Sequence, residues 1–213
     1  MNDEYDSLMK NQTWELVELP KNKVPIGRKW LYKSKFKAYG SIDKFKARLV
    51  AKGYAQQEGI YYEDTFALVA KLNTIRVLIA LATKHNWNIH QLDVKFSFLN
   101  GDLKEEVYLV QPEGFVKQGQ EHLVYRLRKA LYGLKHALRS WYVKIDTFFH
   151  QNGFVKSKND PNLHVKKDEE GNVALIYLYV DDLIITGSAY KLIEEIKIHL
   201  SQEFEMKDLG ELH

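Results

Sequence analysis

The sequence contains no cysteine, which excludes disulfide frameworks, thiolate zinc sites and cysteine nucleophiles. Its 213 residues include only 4 prolines and 12 glycines, too few for a collagen-like or disordered chain. It has no run of about 18 apolar residues, and its amino terminus lacks a basic segment followed by an apolar one. These absences predict a globular protein without a membrane span or a secretion signal, and the cytoplasm is its default location.

The small net charge of +3 hides two strongly basic segments. Residues 21–52 carry eleven Lys or Arg against one acid, and residues 117–144 carry seven against one. Clustered cations favour the backbone of a nucleic acid, because binding releases condensed counterions. Two solvated basic surfaces are the alternative interpretation.

Hydrophobic patterns predict strands and helices in mixed order. Two β-compatible runs, 28–36 and 42–50, flank turn residues and predict a basic hairpin. A helix is predicted after Asn73 or Thr74 as N-cap, and another after Ser188 as N-cap. Further segments with strand or helix patterns are 87–94, 138–149 and 173–185. This order predicts an α+β domain with an antiparallel sheet covered by helices.

Three acids lie at the ends of predicted strands. Asp181 and Asp182 fall at the tip of the hairpin predicted within 173–185, and Asp93 lies near the end of the strand at 87–94. Adjacent carboxylates repel each other unless a cation neutralises them. Mg²⁺ takes oxygen ligands from a few carboxylates and from substrate phosphates, and two such ions support in-line displacement. The pattern therefore predicts a metal site, with a solvated turn as the alternative.

The segment LYVDDLIITG at 178–187 resembles the polymerase box of reverse transcriptases. Four more blocks, in order, resemble the reverse transcriptase of copia-type long-terminal-repeat retrotransposons; they lie at 29–66, 89–115, 126–142 and 204–212. The resemblance implies an RNA-directed DNA polymerase with a right-hand fold, whose antiparallel palm sheet is expected to carry helices on one face. It implies fingers at 1–88, including the basic hairpin at 28–50, and a palm at 89–213 that has room for a fingers insertion within 100–140.

The resemblance also implies roles for the acids. Asp93, Asp181 and Asp182 match the residues that hold two Mg²⁺ ions, with Mn²⁺ as an alternative and the Val94 carbonyl as a further ligand. In the family's reaction, a primer 3′-hydroxyl activated by one ion attacks the α-phosphate of a deoxynucleoside triphosphate, and the second ion steadies the pyrophosphate. Lys207 is a candidate general acid that protonates this leaving group.

A second set of residues matches the family's nucleotide-binding positions. Lys46 and Arg48 are candidates for gripping the triphosphate, and Phe98 matches an aromatic residue that crowds a ribose 2′-hydroxyl. The block that flanks the nascent base pair and the template contributes Gly133, Lys135, His136 and Arg139. The alternatives are solvated strand cations for the first two residues and ordinary core for Phe98.

The chain departs from the family's usual pattern at four positions, of which the change to Ser97 where alanine is usual is mild. Leu68 and Leu138 stand where proline is usual, and His136 stands where glutamine is usual. A missing proline leaves the backbone less restricted, and the histidine removes an amide that both donates and accepts hydrogen bonds.

The chain ends at His213, before the segment where the family has its primer grip, thumb and ribonuclease H regions, so the thumb is expected to be absent. The implied partners are an RNA or DNA template with its primer, a deoxynucleoside triphosphate, and the rest of a Pol polyprotein with integrase and ribonuclease H. The implied location is the cytoplasm or a virus-like particle, with the nucleus for the product. Two alternatives are a catalytically inactive nucleic-acid-binding remnant and a structural relic without nucleic-acid affinity.

Overall fold

The computed structural model describes residues 1–37, 39–56, 70–103 and 105–212. Its helices are α1 (Asn2–Lys10), α2 (Leu72–His85), α3 (Ala137–Gln151) and α4 (Tyr190–Glu203). Its strands are β1 (Trp14–Val17), β2 (Arg28–Phe36), β3 (Ile42–Ala51), β4 (Ile89–Val94), β5 (Tyr108–Val110), β6 (Val124–Leu127), β7 (Val155–Lys156), β8 (Leu163–Lys167), β9 (Val173–Tyr179), β10 (Asp182–Gly187) and β11 (Met206–Glu211). The predicted α+β class is confirmed. No helix within these ranges is long and apolar enough to cross a bilayer.

The chain forms two compact units, and both are discontinuous in sequence. The first consists of the described part of Met1–Phe66 together with Phe98–Trp141. The second consists of the described part of Ala67–Ser97 together with Tyr142–His213. These units are defined by packing alone, which does not identify a fingers or a palm subdomain. The fingers at 1–88 and the palm at 89–213 therefore stay predictions.

An aromatic cluster packs the small sheet of the first unit. This antiparallel sheet has the order β1-β6-β5. Trp14 on β1 stacks on Tyr125 of β6 with ring centroids 4.5 Å apart. The hydroxyl of Tyr5 on α1 lies 2.9 Å from the Tyr125 hydroxyl, so the buried polar group has a partner. The helix and the sheet are therefore joined through aromatic side chains.

The basic hairpin is confirmed as a two-stranded sheet of β2 and β3. Its register pairs Lys33 with Lys46 and Leu31 with Arg48, and side chains alternate between its faces along each strand. One face therefore carries six cations, which are Lys29, Lys33, Lys35, Lys44, Lys46 and Arg48. The opposite face carries apolar and aromatic residues such as Trp30 and Leu49.

The turn that follows Leu131 is held closely against β3. The Ala51 amide donates to the Tyr132 carbonyl at 2.8 Å. Gly133 has φ +90°, in the region that favours glycine, and a Cβ added there would lie 2.2 Å from the Ala51 carbonyl oxygen. The positive φ and the overlap with the Ala51 carbonyl therefore each disfavour a side chain at Gly133.

Gly133→Ala is expected to lower the free energy of unfolding by about 3 kcal/mol, because the added methyl group forces the turn away from β3 and strains the backbone. Urea unfolding of the variant measures the loss. Gly119→Ala is the matched control, since Gly119 has φ +76° but no atom within 4 Å of an added Cβ. Equal losses in the two variants would contradict close packing as the cause.

The second unit is built on a six-stranded antiparallel sheet of order β11-β4-β10-β9-β8-β7. On one face, Leu78 of α2 packs in a cluster with Leu175 and Tyr177 of β9. On the other face, the Phe149 ring of α3 lies 4.6 Å from the ring of His164. Helices therefore lie on both faces of this sheet, which corrects the expectation of helices on one face. Strand β4 lies between β11 and β10, so each side chain of β4 can have a cross-strand neighbour on both sides.

Several local predictions need correction. Helix α2 begins after Lys71 and α4 begins after Ala189, and neither residue makes a side-chain cap bond. Thr74 instead donates its hydroxyl to Asp160, and Ser188 accepts the Val173 amide at 2.8 Å. Both predicted caps are wrong because tertiary partners compete for these hydroxyls.

Candidate active site

A tight turn joins β9 and β10 at the predicted hairpin. Tyr179 pairs with Asp182, so only Val180 and Asp181 lie in the loop. Asp182 is therefore the first residue of β10, which corrects the prediction that both acids lie at the tip. Val180 has φ +59°, a conformation in which a β-branched residue is a steric outlier. Strain of this kind clusters at functional sites.

Val180→Gly is expected to raise the free energy of unfolding by about 1 kcal/mol. Relief of about 1–3 kcal/mol of backbone strain outweighs the conformational entropy of glycine, about 0.5–1 kcal/mol. Denaturant unfolding measures the change. Val155→Gly on β7 is the control, because Val155 is exposed and is not among the residues with positive φ. A fall in stability for both variants would contradict strain at Val180.

One row of side chains crosses the sheet of the second unit at this turn. Asp93 is the direct partner of Asp182 on one side and of Lys207 on the other. Asp182 in turn is the direct partner of Tyr179. Directly paired residues point to the same face, so an acid pair is flanked by a lysine and a tyrosine. Lys207 and Tyr179 are exposed, and both acids are half-buried.

The two acids approach at a closely spaced position of the ladder. The Val94 amide donates to the Asp181 carbonyl at 2.8 Å. The next pair, Asp93 opposite Asp182, therefore takes the non-hydrogen-bonded position, where the Cα atoms are about 4.5 Å apart and the side chains are closest. Like charges directly opposite each other destabilise a sheet.

This arrangement fits a bound cation at the acid pair. The half-buried carboxylates of Asp93 and Asp182 face each other, and oxygen donors of this kind suit a hard divalent ion. The Gln91 side-chain amide also donates to Asp182, at 3.4 Å. Within the described residues, no group of three His, Cys, Asp or Glu side chains is arranged to hold a metal ion. The sheet therefore brings two of the predicted acids together, and the roles of Asp181 and the Val94 carbonyl stay predictions.

Two nucleotide-binding candidates of the first unit contact the ring of the same tyrosine. The Arg48 guanidinium carbon lies 4.7 Å from the ring centroid of Tyr132. The Phe98 ring lies 4.7 Å from the same ring at an interplanar angle of 88°. Lys46 is half-buried on the same hairpin face as Arg48. The sequence interpretation did not select Tyr132, although it lies beside Gly133 in the same block.

The block from 133 to 139 divides between surface and interior. Lys135 and Arg139 are exposed, and the Lys135 amide donates to the Gln56 side chain at 2.8 Å. His136 is only 3% exposed, and within the described residues neither of its ring nitrogens has a hydrogen-bond partner. Burial lowers the pKa of His136, opposed by the Glu105 carboxylate 3.9 Å away. Its burial gives no support to a nucleotide contact, and the predicted binding roles of this block stay predictions.

The departures from the family pattern have different structural settings. Leu138 is the second residue of α3, in the first turn, where a helix tolerates proline but does not need it. Leu68 lies outside the described residues.

The sequence interpretation did not select Gln91, although its spacing of two from Asp93 places both residues on one face of a strand.

The comparison with protein families decides the relationship of the chain. Residues 11–213 match the family described as reverse transcriptase (RNA-dependent DNA polymerase). The chain belongs to this family. The predicted RNA-directed DNA polymerase relationship is thereby confirmed, and membership implies a general dependence on divalent metal ions.

Known relatives are retrotransposon polyproteins. The retrovirus-related Pol polyprotein from transposon TNT 1-94 of Nicotiana tabacum is 45% identical over 210 residues, which cover 99% of this chain and 16% of the relative. The corresponding polyprotein from transposon RE1 of Arabidopsis thaliana is 42% identical over 214 residues, covering 100% of this chain and 14% of the relative. The predicted copia-type relationship is confirmed. The chain thus spans at most about a sixth of the length of these relatives.

Proposed function

We propose that this reverse transcriptase domain adds deoxynucleotides to a primer 3′-hydroxyl on an RNA or DNA template. The single observation that carries the proposal is the direct pairing of Asp93 with Asp182 on one face of the six-stranded sheet. Two half-buried acids held face to face are unfavourable alone and favourable beside a cation and a phosphate. In this assignment the six-stranded sheet is the palm and the β2–β3 hairpin belongs to the fingers.

Asp93 and Asp182 would hold magnesium, or manganese as an alternative, with Asp181 and the Val94 carbonyl as further ligands. Bound divalent ions supply charge neutralisation for the primer oxygen and the phosphate oxygens. The sheet fixes the positions of the two carboxylates, because β4 and β10 are held together by backbone pairing rather than by flexible loops.

Lys207 would transfer a proton to the departing pyrophosphate. It is the direct partner of Asp93 on β11 and shares the face of the acid pair. An exposed ammonium group at this place also attracts phosphate, so the lysine assists binding before it acts as an acid.

The cationic face of the hairpin would bind phosphate groups. Six cations lie on one face of two strands, and clustered cations favour a polyanion because binding releases its condensed counterions. Lys46 and Arg48 would contact the incoming triphosphate, and the other cations of the face would contact the template. Integrase and ribonuclease H regions of a longer Pol polyprotein would be its partners.

Primer extension tests the proposal. The chain is incubated with an oligo(dT)-primed RNA template, thymidine triphosphate and Mg²⁺, and labelled product is resolved by length. We expect short extension products that vanish with EDTA and with Asp181→Asn. Equal product from Asp181→Asn and the unaltered chain would contradict the role of this acid.

A second candidate function is nucleic-acid binding without synthesis. It is favoured by the hairpin, whose cationic face does not depend on the acid pair. Salt-sensitive retention of RNA, together with no incorporation under any metal condition, would support this function over polymerisation. Retention that is unchanged at low salt by Lys46→Ala and Arg48→Ala would point to a structural relic.

A further inference from the structure

Tyr132 lies between two residues that the proposed function assigns to different parts of a nucleotide. Its ring contacts the Arg48 guanidinium group at 4.7 Å and the Phe98 ring at 4.7 Å. Arg48 comes from β3, and Phe98 belongs to the short 3-10 helix at Ser97–Asn100. One side chain thus connects two segments that are about fifty residues apart in sequence.

The backbone of Tyr132 is held in place independently of these contacts. Its carbonyl accepts the Ala51 amide at 2.8 Å, and Gly133 approaches the same strand too closely for any side chain. Its neighbour Leu131 is fully buried, whereas Tyr132 itself is half-buried. The ring therefore stands on a fixed support at the edge of the core.

A ring fixed in this way restricts both of its neighbours. A guanidinium group stacked over an aromatic face keeps a preferred orientation, so an arginine loses less side-chain freedom when it binds a phosphate. An edge-to-face contact likewise limits rotation of the Phe98 ring. A steric barrier rejects an added hydroxyl only if the barrier does not move aside.

The geometry points to Tyr132 as a positioning residue that holds Arg48 for the triphosphate and Phe98 against the ribose 2′-hydroxyl. Tyr132 thereby contributes to selection of deoxynucleotides over ribonucleotides. This inference rests on the proposed polymerase function and on the nucleotide-binding roles of Arg48 and Phe98. It extends that function by making the two roles depend on one another through a shared ring.

Equilibrium nucleotide binding tests the inference without requiring synthesis. Binding of dTTP and of UTP is titrated on the chain with a primer–template whose primer end lacks a 3′-hydroxyl, in Ca²⁺ buffer. Tyr132→Leu removes the ring, and Tyr132→Phe is the matched control that keeps it. For Tyr132→Leu we expect about tenfold weaker dTTP binding and about a tenfold smaller preference for dTTP over UTP. Tyr132→Phe is expected to stay within about twofold of the unaltered chain.

A double-mutant cycle separates positioning from a general structural role. Arg48→Lys is combined with Tyr132→Leu, because lysine keeps the charge but loses the planar contact with the ring. We expect Tyr132→Leu to weaken dTTP binding much less in the Arg48→Lys background than in the unaltered chain. Additive effects would overturn the inference. Near-UV circular dichroism checks that each variant is folded.

The outcomes distinguish the inference from the proposed function. If the unaltered chain binds dTTP more tightly than UTP and Tyr132→Leu changes neither value, the role of Tyr132 is overturned and the polymerase proposal stands. If the unaltered chain binds neither nucleotide, both are overturned. If Tyr132→Leu is unfolded, Tyr132→Met provides the same test with a flexible side chain that fills the space.

Discussion

Asp182→Asn is expected to lower primer extension by at least about a thousandfold, equivalent to about 4 kcal/mol of transition-state stabilisation. The reason is the pairing of Asp182 with Asp93, since replacing one carboxylate removes half of the facing negative charge. In metal-free buffer the same change is expected to raise the free energy of unfolding by about 0.5–1 kcal/mol, because like-charge repulsion is relieved. Single-nucleotide incorporation and urea unfolding in EDTA measure the two effects.

Asp182→Asn is expected to lower activity and to raise stability, so a general loss of folding would not produce both results. Glu169→Gln is the control, because it removes one exposed negative charge from the second unit away from the acid pair. It is expected to change neither activity nor stability appreciably. Loss of stability in Asp182→Asn without metal would contradict repulsion between the acids, whatever the activity.

Acidification below about pH 6.5 is expected to destabilise the protein steeply. His90, His136 and His164 are buried, and burial lowers the pKa of each from the ordinary value of 6.5. The unfolded chain therefore binds protons near pH 6.5 that the folded chain does not, so stability falls as pH falls through this value. Each histidine contributes up to about 1.4 kcal/mol per pH unit until its folded pKa is reached.

The surroundings of these histidines explain why the neutral form is retained. The Lys197 ammonium donates to His90 Nδ1 at 3.0 Å, so this nitrogen carries no proton. Glu194, Asp208 and Glu211 act in the opposite direction on the pKa of His90, but burial and the lysine outweigh them. The Asp146 carboxylate, 2.9 Å from His164, likewise opposes the effect of burial without cancelling it.

Urea unfolding between about pH 8 and pH 5 measures the loss. His136→Leu is expected to keep the stability at pH 8 and to remove about a third of the acid-induced loss, because this histidine has no hydrogen-bond partner among the described residues. His122→Gln is the control, since His122 is exposed. Stability that is flat across this range would contradict the lowered pKa values.

Elements whose pattern repeats locally were predictable from the sequence. The alternation in 28–36 and 42–50 predicted β2 and β3, and the helical pattern after Ser188 predicted α4. Predictions that depended on a single side chain were less successful. Both predicted N-caps were wrong, because Thr74 and Ser188 make hydrogen bonds with tertiary partners instead.

The sequence by itself determined the family, the α+β class and the basic hairpin, and it selected Asp93 and Asp182 as candidate metal ligands. Only the tertiary structure decided that these two acids are direct partners and that Tyr132 joins Arg48 to Phe98. The physical reason is the separation in sequence between the residues that determine each feature. Side-chain periodicity is set by neighbours within a few residues, whereas register and ring contacts are set by how segments distant in sequence pack together.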